Sequence, residues 1–404
     1  MEYQTRFAFH LCGGQLYCSL PPRARYLSRR AVSSIKNVAP SHYAYIDALR
    51  GYAILGVIAV HTGQNVPALR WPLRDLAASG RYGVQLFFVV SALTLMMSWH
   101  ARSGGIYSFY IRRFFRIAPM FWLAIPLYCA IDGFGPRNLA PDGLSWREIL
   151  LTITFLHGWY PESINSVVPG GWSIAVETTF YACFPALMAG LRLCPRAGLA
   201  FFLSFVLSMI MNSIANITLS LTAPNLPEVL VSAFKSFWFF NQLPVFFVGI
   251  NVFFALQKIK PSVVILRRCL IFTLVVLILL PYIKILPGNI EYALCFGALT
   301  FCLGSGAGGP LVNAVICQIG KISYSCYLWH FAVLELCAWI LMKYTSGLEG
   351  LISAELMFVI MFVAVTCITA VLSKITYKLI EQPMIAFGNR IAIRATASTR
   401  FQPS

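Results

Sequence analysis

Ten separate stretches of this 404-residue chain are each long and apolar enough to cross a lipid bilayer, a crossing that takes about 20 residues. They run over 43–63, 82–99, 114–132, 172–191, 199–219, 234–256, 269–286, 290–306, 322–342 and 352–374. In hydrocarbon every backbone N–H and C=O must be satisfied within the protein, so such stretches fold as helices. The expected fold is therefore all-α: a polytopic transmembrane bundle of about ten helices. Composition closes the other routes. Charged residues are 11% and hydrophobic residues 58%, whereas a water-soluble surface needs about a quarter charged. That apolar content also excludes a disordered chain, a collagen-like fibre and a disulfide-stapled secreted module. An eleventh stretch, 146–159, is too short to span and contains Glu148 and His157, so it reads as a re-entrant or interfacial segment.

The formal charge of +17 could suggest nucleic acid, but the basic residues lie in short loops between apolar runs and form no single patch. They act instead as an orientation signal. With ten spans and a cytoplasmic start, most of the Lys and Arg fall inside, so both termini are expected in the cytoplasm. Counting 146–159 as a span would invert every later loop and spoil the asymmetry. The chain divides into a basic, loosely ordered tail over 1–42, a membrane domain over 43–385 and a short basic tail over 386–404. The patch Leu11–Leu20 lacks a clean cleavage signature, so no signal peptide is expected. The twelve Cys form no C-x-x-C pair or metal-like cluster, and most, such as Cys129, Cys302 and Cys367, read as small hydrophobes. No metal is expected.

Ionisable residues inside spans are costly, and each is a candidate for function. Arg50 and His61 lie eleven residues apart in "YIDALRGYAILGVIAVH", which places them on one helix face about 16 Å apart along the axis. A desolvated imidazole stays neutral and can accept a proton, as a general base does. The structural alternative makes His61 an interfacial cap and Arg50 a snorkelling anchor. Arg112, Arg113 and Arg116 cluster at the cytoplasmic mouth of the third span, with Arg113 and Arg116 three residues apart on one face. They suit either phosphate oxygens or simple positive-inside anchoring. Glu177 falls deep in the fourth span and needs a partner, with His61, Arg50 and His330 available by type. Trp172 and Tyr181 fit aromatic belts and packing. Ser323, Tyr324, Tyr327 and His330 open the ninth span, Tyr327 and His330 sharing a face. Glu381 and Pro383 fall where the last span ends, where a helix-terminating role is expected.

Six segments in this order, "DALRGYAILGVIAVH", "GVQLFFVVSAL", "RRFFRIAPMFW", "GGWSIAVETTFYACFP", "ISYSCYLWH" and "EQP", resemble the acyltransferase 3 family of bacterial integral-membrane O-acyltransferases. The resemblance covers about residues 45 to 385. It implies ten transmembrane helices in the cytoplasmic (inner) membrane and transfer of an acyl group, often acetyl, from acyl-CoA to a hydroxyl of a surface or secreted glycan. The partners implied are acyl-CoA, a glycan or lipid-linked sugar acceptor and the bilayer, with no nucleic acid.

Carried over by motif, Arg50 and His61 match the family's essential Arg and His, Arg113 and Arg116 its R-x-x-R, Glu177 its acidic residue and Tyr327 and His330 its Y-L-x-H ending. His61 is then expected as base or acyl carrier, with Arg50 at the donor or the developing oxyanion and Glu177 orienting an imidazole. Arg113 and Arg116, with Arg112 beside them, would take CoA phosphates. Ser91, Trp172, Tyr327 and His330 complete the candidate set. The family usually has Ser-Gly after the double Phe, and here Ser91 is followed by Ala92, a methyl group that narrows helix approach. Two other classes fit ten spans: a transporter or flippase for a glycolipid or small anion, and a structural scaffold. The scaffold explains neither Glu177 nor the alignment of Arg50 with His61.

Overall fold

The computed structural model describes residues 43–66, 68–101, 105–193, 197–345 and 353–400, together with two short strands near the N-terminus. The strands, β1 (Phe9–Cys12) and β2 (Gln15–Cys18), pair antiparallel with Phe9 opposite Cys18, inside a unit of their own over Met1–Tyr43. The rest of the expected 1–42 tail lies outside the described residues. The second unit, Ala44–Ser404, is helical throughout its described elements.

Its helices are α1 (Ala44–Gln64), α2 (Leu73–Ser79), α3 (Gly83–Ala101), α4 (Gly105–Asp132), α5 (Trp146–Ile153), α6 (Gly171–Leu193), α7 (Ala197–Thr222), α8 (Glu228–Phe237), α9 (Phe239–Lys258), α10 (Val263–Leu279), α11 (Gly288–Cys302), α12 (Ala314–Lys321), α13 (Ser323–Thr345), α14 (Ala354–Thr376) and α15 (Gln382–Arg400). Among the described residues ten helical stretches are long and apolar enough to cross a membrane, and they coincide with the ten read from the sequence. The short stretch at 146–159 is not among them. It forms α5 and a single 3-10 turn over Leu156–Trp159. A capping box explains the acidic residue in α5: the Ser145 N–H donates to Glu148 Oε2 over 3.0 Å, and the Ser145 hydroxyl accepts from the Arg147 N–H. Burial pushes the Glu148 carboxyl up, but the hydrogen bonds from Ser145 outweigh it and hold the group below its ordinary value.

Helix α9 is central, packed against α3, α7 and α11, while α1 packs against α3, α12 and α13. By contrast α10 turns Ile271 and Phe272, 64% and 70% exposed, outward, as a lipid-facing surface requires. Lipid tails are as apolar as the helix faces, so association within the bilayer depends on close fit between small residues. At one such crossing Ala92 of α3 meets Gly249 of α9. A Cβ on Gly249 would come within 2.2 Å of the Val89 carbonyl oxygen and 2.8 Å of the Ala92 methyl. The extra methyl at position 92 is thus accommodated because the facing residue has none.

The last span holds a second departure from expectation. Pro383 does not end a helix. Residues Tyr377–Glu381 form a π turn that carries α14 straight into α15, and Pro383 falls inside this continuous helical run. The chain continues as α15 alongside α4, with the Ser108 hydroxyl donating to the Ala392 carbonyl over 3.0 Å.

Candidate active site

Helices α1, α3, α4, α6 and α13 line a cavity that opens to the surroundings, about 680 Å³ with the open space at its mouth included. Arg50 enters from α1, Ser91 from α3, Arg113 and Arg116 from α4, Glu177 and Tyr181 from α6, and Tyr324 and Tyr327 from α13. One volume thus gathers three guanidinium groups, a carboxyl group and several hydroxyls from segments up to 277 positions apart in the chain, Arg50 to Tyr327.

The partner of Glu177 differs from those available by type. Its Oε1 accepts from the Ser91 hydroxyl over 2.6 Å and from the Tyr181 hydroxyl. Two O–H donors hold Oε1 of this partly buried carboxyl group, and its hydrogen bonds run to hydroxyls and not to a described imidazole. Tyr181, expected in packing, is therefore part of the cavity. Arg116 is held by Glu381, its Nη1 lying 2.8 Å from Oε1, and the other Glu381 oxygen accepts from the Ser325 hydroxyl over 2.7 Å. Glu381 is 1% exposed, a member of the site that its position near the chain end concealed. Arg113 spreads over the rings of Tyr181 and Phe109, at 5.5 and 5.8 Å, and its buried Nε has no hydrogen-bond partner. Arg112 and Trp172 are not part of the lining. Trp172 instead stacks on Phe237 with centroids 4.5 Å apart.

The two histidines lie behind the cavity wall. Tyr327 lines the cavity, and its hydroxyl donates to the Gly170 carbonyl and accepts from Ser173. One turn along α13, the His330 ring lies 5.5 Å from the Tyr327 ring and 5.5 Å from His61. The Nδ1–H of His330 donates to the Tyr327 carbonyl over 2.7 Å, which leaves Nε2 as a buried lone pair with no partner. His61 packs on Phe331 at 4.3 Å, and its Nδ1–H donates to Gln64 Oε1 over 2.9 Å, leaving its own Nε2 to accept a proton. His61 thus reaches the Tyr327 side of the cavity through His330, while Arg50 lines the cavity and His61 does not.

His157, in the turn after α5, positions α6. Its Nε2–H donates to the carbonyl of Gly171, the first residue of the helix that carries Glu177, over 3.0 Å. Burial pushes this imidazole down to about 4. The neutral form is the folded one, so its contribution is complete above the unfolded value near 6.5 and is lost as pH falls toward 4. The whole drop amounts to about 3 kcal/mol. Melting curves in detergent should fall across this range for the wild type and fall less for His157→Gln, which keeps a donor for Gly171. Equal slopes would remove His157 as the cause.

Among the described residues no group of three or more His, Cys, Asp or Glu could hold a metal ion. A family profile described as an acyltransferase domain matches residues 43–377. The exopolysaccharide production protein ExoZ of Rhizobium meliloti (strain 1021) is 27% identical, over 79% of this chain and 93% of its own. The acyltransferase MdmB of Streptomyces mycarofaciens is 26% identical, over 72% of this chain and 78% of its own. No solved structure matches significantly.

Proposed function

Because the chain belongs to the acyltransferase 3 family, we propose that this multi-pass membrane acyltransferase is an O-acyltransferase of the cytoplasmic (inner) membrane. It moves an acyl group, acetyl in the first instance, from acyl-CoA to a hydroxyl of a surface or secreted glycan. One observation carries the donor assignment: a cavity lined by Arg50 and Arg113, with Arg116 ion-paired to Glu381 in its wall, whose Tyr327 side adjoins His330 and His61. Guanidinium groups suit phosphate oxygens, and a paired imidazole suits a hydroxyl. The glycan acceptor draws support from ExoZ, whose name ties that relative to exopolysaccharide production.

In the reaction His61 Nε2 takes the proton of the acceptor hydroxyl, and the oxygen attacks the thioester carbonyl. The C–S bond breaks, CoA leaves as thiolate and the proton ends on its sulfur. Arg50 faces the donor and orients it. The arginine-lined end faces the cytoplasm, where acyl-CoA is made, and the positive-inside pattern assigns both ends of the 43–385 unit to that side, with 1–42 and 386–404 as basic flanks.

Purified protein in liposomes supplied with radiolabelled acetyl-CoA tests this reading. Covalent label on an added glycan acceptor is the expected outcome. Acceptor flux that needs no CoA, with no label transferred, would make the protein a carrier for a glycolipid or anion instead.

A further inference from the structure

We infer that Arg50 and Arg113 are the ligands for the donor's phosphate oxygens, while Arg116 is the fixed half of an ion pair that Glu381 holds in the cavity wall. The inference rests on the acyl-CoA reading and refines it. Three guanidinium groups line the cavity, and spacing alone singles out Arg113 and Arg116 as the pair. Their surroundings separate them. The Glu381 side chain is 0% exposed, and both its oxygens are engaged, one by Arg116 and one by Ser325. If a ligand drew Arg116 away, a carboxylate would remain buried without its cation, which is far costlier than the gain from one more phosphate contact.

Arg113 and Arg50 carry no such commitment. Arg113 touches ring faces, which accept no conventional hydrogen bond, and its Nε is buried without a partner. Arg50 makes no hydrogen bond or ion pair with a described residue in this structure. Each guanidinium brings five donors in a planar fork, the arrangement a phosphate or pyrophosphate oxygen pair completes. Glu177, the carboxyl group in the lining, is taken by Ser91 and Tyr181. Glu381 is accordingly a positioning residue: it keeps Arg116 in the wall and cancels its charge, so the positive field of the cavity comes from Arg50 and Arg113.

The test is calorimetric binding of CoA, and separately of inorganic pyrophosphate, to full-length protein in detergent. Arg50→Gln and Arg113→Gln should each weaken binding by about tenfold to a hundredfold. Arg116→Gln should also weaken it, because it leaves the Glu381 charge bare beside the anion. The double variant Arg116→Gln/Glu381→Gln removes both charges and keeps hydrogen-bonding side chains, and it should bind within about threefold of the wild type. A monodisperse double variant that binds as poorly as Arg113→Gln would overturn the assignment by making Arg116 a direct ligand. If the wild type binds pyrophosphate and not CoA, the donor reading fails while the same comparison with pyrophosphate still decides the arginines. If it binds neither, both fail.

Discussion

Replacing His61 with alanine is expected to abolish acyl transfer while the protein still inserts and accumulates. A positioned base contributes about 10² to 10⁴-fold, and among the described residues His330 is the only other imidazole next to His61. His330 cannot substitute, because it is 0% exposed and its Nδ1–H is committed to the Tyr327 carbonyl. Folding should be spared. His61 is half-buried, and its one side-chain hydrogen bond, to Gln64, is a local one on an exposed stretch of the same helix. The measurement is glycan acylation in cells lacking the wild-type copy, alongside protein level in the membrane. Full acylation by the variant would remove His61 from the mechanism.

The second large effect is structural. Gly320 lies in the last turn of α12 with its α-carbon against α1, and a Cβ there would lie 1.8 Å from the Asp47 carbonyl oxygen. A backbone oxygen inside a helix cannot rotate aside, so Gly320→Ala forces α12 away from α1. Ordinary overpacking costs about 1 to 3 kcal/mol, and this contact should exceed that range. Because α13 starts two residues after α12, the displacement also carries Tyr324, Tyr327 and His330 away from Arg50 and His61. Low accumulation, a lowered melting point and loss of activity are expected together. Gly190→Ala in α6 is the control, since nothing lies within 4 Å of its would-be Cβ and alanine is the better helix former by about 1 kcal/mol. A Gly320→Ala protein that melts with the wild type would show that α12 tolerates the shift.

These two residues also mark what could be read from residue order. The spans were legible because hydrocarbon imposes long apolar runs whatever the tertiary contacts. Arg50, Ser91, Arg113, Arg116, Glu177 and Tyr327 do meet in one cavity, since a buried polar group inside a span has few places to go. Spacing fixed a face for His61 but not its neighbours, and so hid the rings that separate it from the cavity. The donors to Glu177 were hydroxyls, which charge-based pairing does not consider. Glu381 was missed for a geometric reason. A glutamate two residues before a proline reads as a helix end, and only the π turn at Tyr377–Glu381 reveals that the chain goes on and that the carboxylate faces inward toward Arg116.

The packed rings of Tyr327, His330, Phe331 and His61 bear on the cell's energetics as well as on chemistry. Under the proposed function the donor comes from one compartment and the acceptor from the other, and a protein of that kind must not become a hole through which protons dissipate the respiratory gradient. Rings packed this closely suit that duty: the two approaches would end blind against each other, with only the acyl carbon passing between them.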